Sequence, residues 1–168
     1  MARVAVLLAG FWLGLLVASW IMAGVNLRMS ESVLGSDMRP EVAARLAGVS
    51  PEDRRTVLRH LGGEINRWMF QRSSWLNLVL GVVFLALVWS AGPVPRTLAL
   101  VALALVLVQA FALAGEITRV GRAIEFLPRP LPAELGRRFG MLHGAYVLAD
   151  FAKAAAIAAA AVVLLRRS

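Results

Sequence analysis

Four stretches of this chain are long, apolar and nearly free of charge, and that constrains its fold more than any other feature. Residues 4–25 carry Ser19 as a polar interruption, residues 75–91 carry Asn77 and Ser90, and residues 97–115 carry Gln109. Residues 141–165 are rich in alanine and enclose His143, Asp150 and Lys153. A helix rises about 1.5 Å per residue, so runs of this length extend roughly 25–38 Å. A bilayer's hydrocarbon core is about 30 Å thick. The expected fold is therefore all-α: a polytopic membrane protein, a four-transmembrane-helix bundle forming one integral-membrane domain over residues 1–168.

The first run comes just after Arg3, as a secretory leader's would. It is longer than a leader's apolar region, and no small-x-small site closes it, so it reads as a true span. The long connections are then residues 26–74 and 116–140. The first holds eight arginines and the second five, against four (Arg3, Arg96, Arg166 and Arg167) on the opposite side. Positive residues stay on the cytoplasmic face, so both connections are expected inside and both termini outside. The same rule accounts for a net charge of +8, which in a soluble protein would suggest nucleic acid. With 60% hydrophobic residues the chain is not such a protein, and no nucleic-acid partner is expected.

Composition also removes chemistries. The chain has no cysteine, hence no disulfide, thiolate metal site or cysteine nucleophile. Two histidines, His60 and His143, are too few for a histidine-rich metal centre, and no resident metal is expected. Ser19 and His143 lack the strained turn and oxyanion hole of a serine hydrolase. Haem or pigment ligation by His143 is a minor alternative, because a bis-histidine site needs a second histidine facing it. No catalytic set is visible, and the chain is expected to be neither an enzyme nor a holder of a cofactor.

The connections carry structure of their own. Ser50-Pro51-Glu52-Asp53 is a helix start, with a capping hydroxyl, proline at the first turn and acids at the positive dipole end. Leu58, Leu61, Ile65, Trp68 and Met69 then recur at helical spacing against Arg54, Arg55, Arg59, Glu64 and Arg67. This predicts a basic amphipathic cytoplasmic helix between spans one and two. It either lies on the lipid or packs beneath the bundle, and Gly62-Gly63 offers it a bend. In the second connection, prolines 128, 130 and 132 predict an extended stretch. Gly136, Gly140 and Gly144 then recur every fourth residue, a rhythm that Gly10, Gly14 and Ala18 repeat in the first span. Small residues so spaced let helix backbones approach, here within the bundle or against an outside helix. Trp12, Trp20, Trp75 and Trp89 read as aromatic anchors.

Charges inside a span cost about 2.5–3.5 kcal/mol each on insertion scales and require an explanation. His143, Tyr146, Asp150 and Lys153 are spaced three, four and three, on one face of the fourth span. Gln109 and Glu116 share a face of the third, Ser19 and Asn26 one of the first, and Asn77 belongs to the second. Together they predict a polar interior, open inward, of Gln109, Glu116, His143, Tyr146, Asp150 and Lys153. It either pins the bundle through Asp150–Lys153 pairing or binds an ion, a proton or a polar head group. Glu116, Arg119, Arg122 and Glu125 form a second expected network at the inner interface.

Three stretches carry a resemblance. They are Gly63-Glu64-Ile65-Asn66-Arg67-Trp68-Met69-Phe70, residues 116–128, and Arg138-Phe139-Gly140-Met141-Leu142-His143-Gly144. With four spans, the chain resembles the bacterial four-span family of unknown function related to the cisplatin-resistance-associated transmembrane protein. Lys153 and the capped first connection fall outside the resemblance. It implies a compact four-helix protein of the bacterial cytoplasmic (inner) membrane, and no particular activity. Two functions are compatible with these features: an accessory subunit of a respiratory, photosynthetic or similar assembly, with lipids and other membrane subunits as partners, or a small carrier of a metal, drug or lipid head group.

The orientation is directly testable in a chain without native cysteine. Cysteines at Gly48 and Ala133 should react in intact cells only with a membrane-permeant thiol reagent. Labelling of either by an impermeant reagent would reverse the topology.

Overall fold

Residues 1–32, 38–128 and 130–167 are described by the computed structural model, and their regular structure is entirely helical. Arg129, part of the expected proline-rich stretch, lies outside the described residues. Four helical rods are long and apolar enough to cross a membrane. The first is α1 (Ala2–Ser32). A short α2 (Pro40–Arg45) precedes α3 (Pro51–Val88). The third rod is α4 (Pro93–Leu107), a π-helical turn (Val108–Leu113) and α5 (Ala114–Glu125) end to end. The last is α6 (Ala133–Leu165). Helix α1 packs on α3 and α6, and α4 packs on α3 and α6, so the rods form a closed ring.

The amphipathic segment is not a separate helix. Ser50 caps as expected, its Oγ accepting the Asp53 N–H at 3.0 Å, with Pro51 in the first turn. From there α3 runs 38 residues without a break through Gly62-Gly63 and on to Val88. At ~1.5 Å per residue that is about 57 Å, far more than a bilayer core, so the basic segment is a stem continuous with the span. Asn26 of α1 holds the stem by donating to the Gly62 carbonyl at 3.1 Å and to Asn66 Oδ1 at 2.9 Å.

At the other end α3 and α4 meet in a tight turn. Gly92 has φ of +109°, a conformation other residues rarely adopt, and Pro93 opens α4 beside it. Arg167, just past α6, donates to the Ala91 carbonyl at 2.6 Å and closes the ring there.

The core is built on alanine rather than glycine. Ala5, Ala9, Trp12 and Leu16 of α1 cluster with Ala99, Ala102 and Val106 of α4, Phe84 and Val88 of α3, and Ala156, Ile157 and Ala160 of α6. Without a solvent-driven hydrophobic effect, close backbone approach and dispersion hold such helices together, and small residues permit the approach. The Trp12 indole lies edge-on to Phe84 at 6.1 Å and donates to Asn77 Oδ1 at 2.6 Å. Gly81 is a close-contact glycine: a Cβ there would come 2.9 Å from Leu103 Cδ1 and 3.3 Å from the Trp12 ring.

The glycines expected to pack helices inside the bundle do not. A Cβ at Gly10, Gly14, Gly140 or Gly144 would meet nothing within 4 Å, and one at Gly136 would touch only Leu131 at 3.9 Å. The four-residue rhythm is present in the core, in a different phase. Ala5 and Ala9 carry it on the inward face of α1. Gly10 and Gly14 instead sit on the outward face, beside exposed Leu7 and Phe11.

Candidate functional site

Inside the ring, one polar cluster joins three helical rods. Asp150 and Lys153 stand three residues apart on α6, which puts them on one face. Their ion pair closes at 2.7 Å from Nζ to Oδ1. Gln109, opposite them, uses both ends of its amide. Its Nε2 donates to Asp150 Oδ1 at 2.8 Å and to the Tyr146 carbonyl at 3.0 Å, and its Oε1 accepts from Lys153 at 2.7 Å. Trp20 of α1 completes the set, donating its indole N–H to Asp150 Oδ2 at 3.1 Å. The Tyr146 ring rests edge-on against Phe70, which brings in α3.

The backbone presents Gln109 in an unusual way. It sits in the π-helical turn, where the Ala114 N–H reaches back five residues to the Gln109 carbonyl. One extra residue in a turn rotates the rest of the helix about its axis and loosens the hydrogen-bond ladder. Such turns recur at functional sites.

The three central side chains are enclosed, with relative exposures of 2% for Gln109, 6% for Asp150 and 2% for Lys153. Both charges are paired and all three residues are hydrogen-bonded, as a low-dielectric interior demands of buried polar groups. The interior expected to open inward is closed at these residues.

Other expected members lie elsewhere. His143 is exposed on α6 and stacks on Phe139 with ring centroids 6.1 Å apart, outside the Asp150 cluster. Glu116 faces the basic end and pairs with Arg119 at 2.7 Å and Arg138 at 3.0 Å. Ser19 bonds back to the Leu15 carbonyl within its own helix. The expected inner network of Glu116, Arg119, Arg122 and Glu125 divides in two. Arg119 and Glu116 tie α5 to α6 through Arg138, whereas Arg122 bonds Glu64 at 3.3 Å and Glu125 bonds Arg67 at 3.1 Å, tying α5 to α3. Sequence reasoning misses the contacts of Trp20, Trp12 and Arg67. The two indoles read as interface anchors, yet each carries a donor that must be satisfied when buried, and that donor is the available signal.

No family model matches the chain, and no curated protein or solved structure matches it.

The cluster predicts a specific pattern of stability. Asp150→Ala strands Lys153, and Lys153→Ala strands Asp150, each at a cost of about 3–5 kcal/mol for a buried partner left unpaired. The double variant should regain part of that loss but not all, because Trp20 and Gln109 lose partners as well. Thermal unfolding in detergent micelles reads the cycle. Single variants that melt with the parent would show that water reaches the pair.

Proposed function

We propose that the chain is a non-enzymatic accessory subunit of a larger assembly in the bacterial cytoplasmic membrane, with both termini outside. The orientation rests on the arginine bias. The bacterial setting rests on the motif resemblance to the four-span family. The observation that carries the subunit reading is the outward placement of Gly10, Gly14, Gly140 and Gly144, each with open space where a side chain would stand. A lipid-facing helix gains nothing from glycine, which disfavours helix by about 1 kcal/mol relative to alanine in water. A helix that receives another helix gains close backbone contact. The Asp150 cluster supports the same reading, since its groups satisfy one another rather than waiting for a solute.

A second reading, a small carrier of a metal, drug or lipid head group, is favoured by one observation. The π-helical turn puts Gln109 on a weakened stretch of backbone next to the intramembrane ion pair. A carrier would open there.

The two readings separate in native-lipid nanodiscs. The parent should purify with a stoichiometric membrane-protein companion. Gly14→Leu or Gly144→Leu should lose that companion while melting at the parent's temperature, since a Cβ at either position meets nothing in the bundle. A parent that is solitary in nanodiscs would contradict the subunit reading. A solitary parent that binds a cation or head group in an Asp150-dependent way would establish the carrier.

A further inference from the structure

Below the apolar spans, the stem of α3 and the end of α5 bring three metal-ligating side chains together. His60 and Glu64 are four residues apart on α3, hence one above the other on the same face. Glu125 comes from α5, across the gap. One donor atom from each of the three lies within 4.8 Å of the others. Glycine permits the approach: a Cβ at Gly63 would stand 2.9 Å from Glu125 Oε1.

One member of this group is unsatisfied. His60 Nδ1 is a buried nitrogen with no hydrogen-bond partner, although Glu125 Oε1 lies 3.3 Å away. A neutral imidazole with its proton on Nε2 turns a lone pair from Nδ1 toward the carboxylate, and two electron-rich atoms at that distance call for a positive species. The carboxylates have capacity to spare. Arg67 Nη2 bonds Glu64 Oε1 at 2.6 Å and both oxygens of Glu125 at 3.1 Å, and Arg122 adds longer bonds to Glu64. Each ionised carboxylate still has lone pairs unused.

We propose that His60, Glu64 and Glu125 form a binding site for a divalent transition-metal ion of the zinc class. One imidazole nitrogen and two carboxylate oxygens are a borderline donor set, which suits such an ion better than calcium or magnesium. Bonds of about 2.0–2.2 Å require donors roughly 3–3.5 Å apart, so binding draws the group inward by about an ångström. The ion has a way in: a cavity of about 630 Å³ lined by Thr56, Arg59, Phe126 and Glu125 opens beside the group. Arg67 and Arg122 offset the charge of the two glutamates, which moderates the affinity. Because the ligands come from two rods, the bound ion clamps the basic ends of α3 and α5 together.

The test is titration of the purified, metal-free chain in nanodiscs with Zn²⁺, read by calorimetry and by thermal unfolding. The expected result is one ion per chain and a higher melting temperature with Zn²⁺. His60→Gln and Glu125→Gln should each weaken binding by about tenfold or more and abolish the thermal shift, as loss of one of three ligands requires. His60→Gln should melt with the parent when no metal is present, since the ring is half exposed and rests against Phe126 at 5.5 Å. Absence of saturable binding, showing that a proton alone fills the gap at His60, would overturn the site. Binding unchanged in both variants would also overturn it.

Discussion

A carboxylate and an ammonium inside a ring of apolar helices set the conditions for everything around them. Asp150 and Lys153 must remain paired, because neither can be left alone in a medium that cannot solvate it. Lys153 still has hydrogens to place and Asp150 still has lone pairs to fill, and the rest of the bundle supplies the partners. Gln109 accepts from one and donates to the other, and Trp20 donates to the carboxylate from the opposite wall. Once these contacts are required, the rotations of α1, α6 and the third rod about their own axes are no longer free. Alanine surfaces alone would tolerate other rotations, since Ala5, Ala9, Ala156 and Ala160 offer nearly featureless contacts. The polar cluster gives one arrangement preference over its neighbours.

That requirement also explains why some features are legible in the sequence and others are hidden. The spans are legible because hydropathy and length are properties of a segment taken by itself. The Ser50 cap is legible because local backbone chemistry suffices to specify it. The pairing of Asp150 with Lys153 comes from their three-residue spacing. The phase of α1 is hidden, because every residue from Val4 to Ala18 is apolar and hydropathy cannot separate an inward alanine from an outward glycine. Trp20 is hidden for a related reason: its ring reads as apolar while its N–H makes the contact. Glu125 and Arg67 meet across 58 positions of chain, and nothing local to either predicts the contact.

Two kinds of polar contact divide the labour along the helix axes. Within the apolar part, the enclosed cluster fixes rotation. Toward the basic end, exposed and half-exposed pairs such as Arg138–Glu116 and Arg122–Glu64 tie α5 to its neighbours. Solvent-exposed pairs contribute little stability individually, so the buried contacts dominate and the exposed ones refine the fit. The outward glycines belong to neither group. A Cβ at Gly10, Gly14, Gly140 or Gly144 would meet nothing in the bundle, so they take no part in its own packing.

The most direct measurement of the central claim is the stability of the exchanged pair, Asp150→Lys combined with Lys153→Asp. An i,i+3 ion pair survives that exchange. The surrounding network does not, because the Trp20 N–H would face an ammonium and lose its acceptor, while Gln109 would have to reverse. If the network pins the bundle, the exchanged protein unfolds below the parent by at least the cost of an unsatisfied buried donor, about 1–3 kcal/mol. If it unfolds with the parent, the ion pair alone is sufficient, and the roles given to Gln109 and Trp20 are wrong.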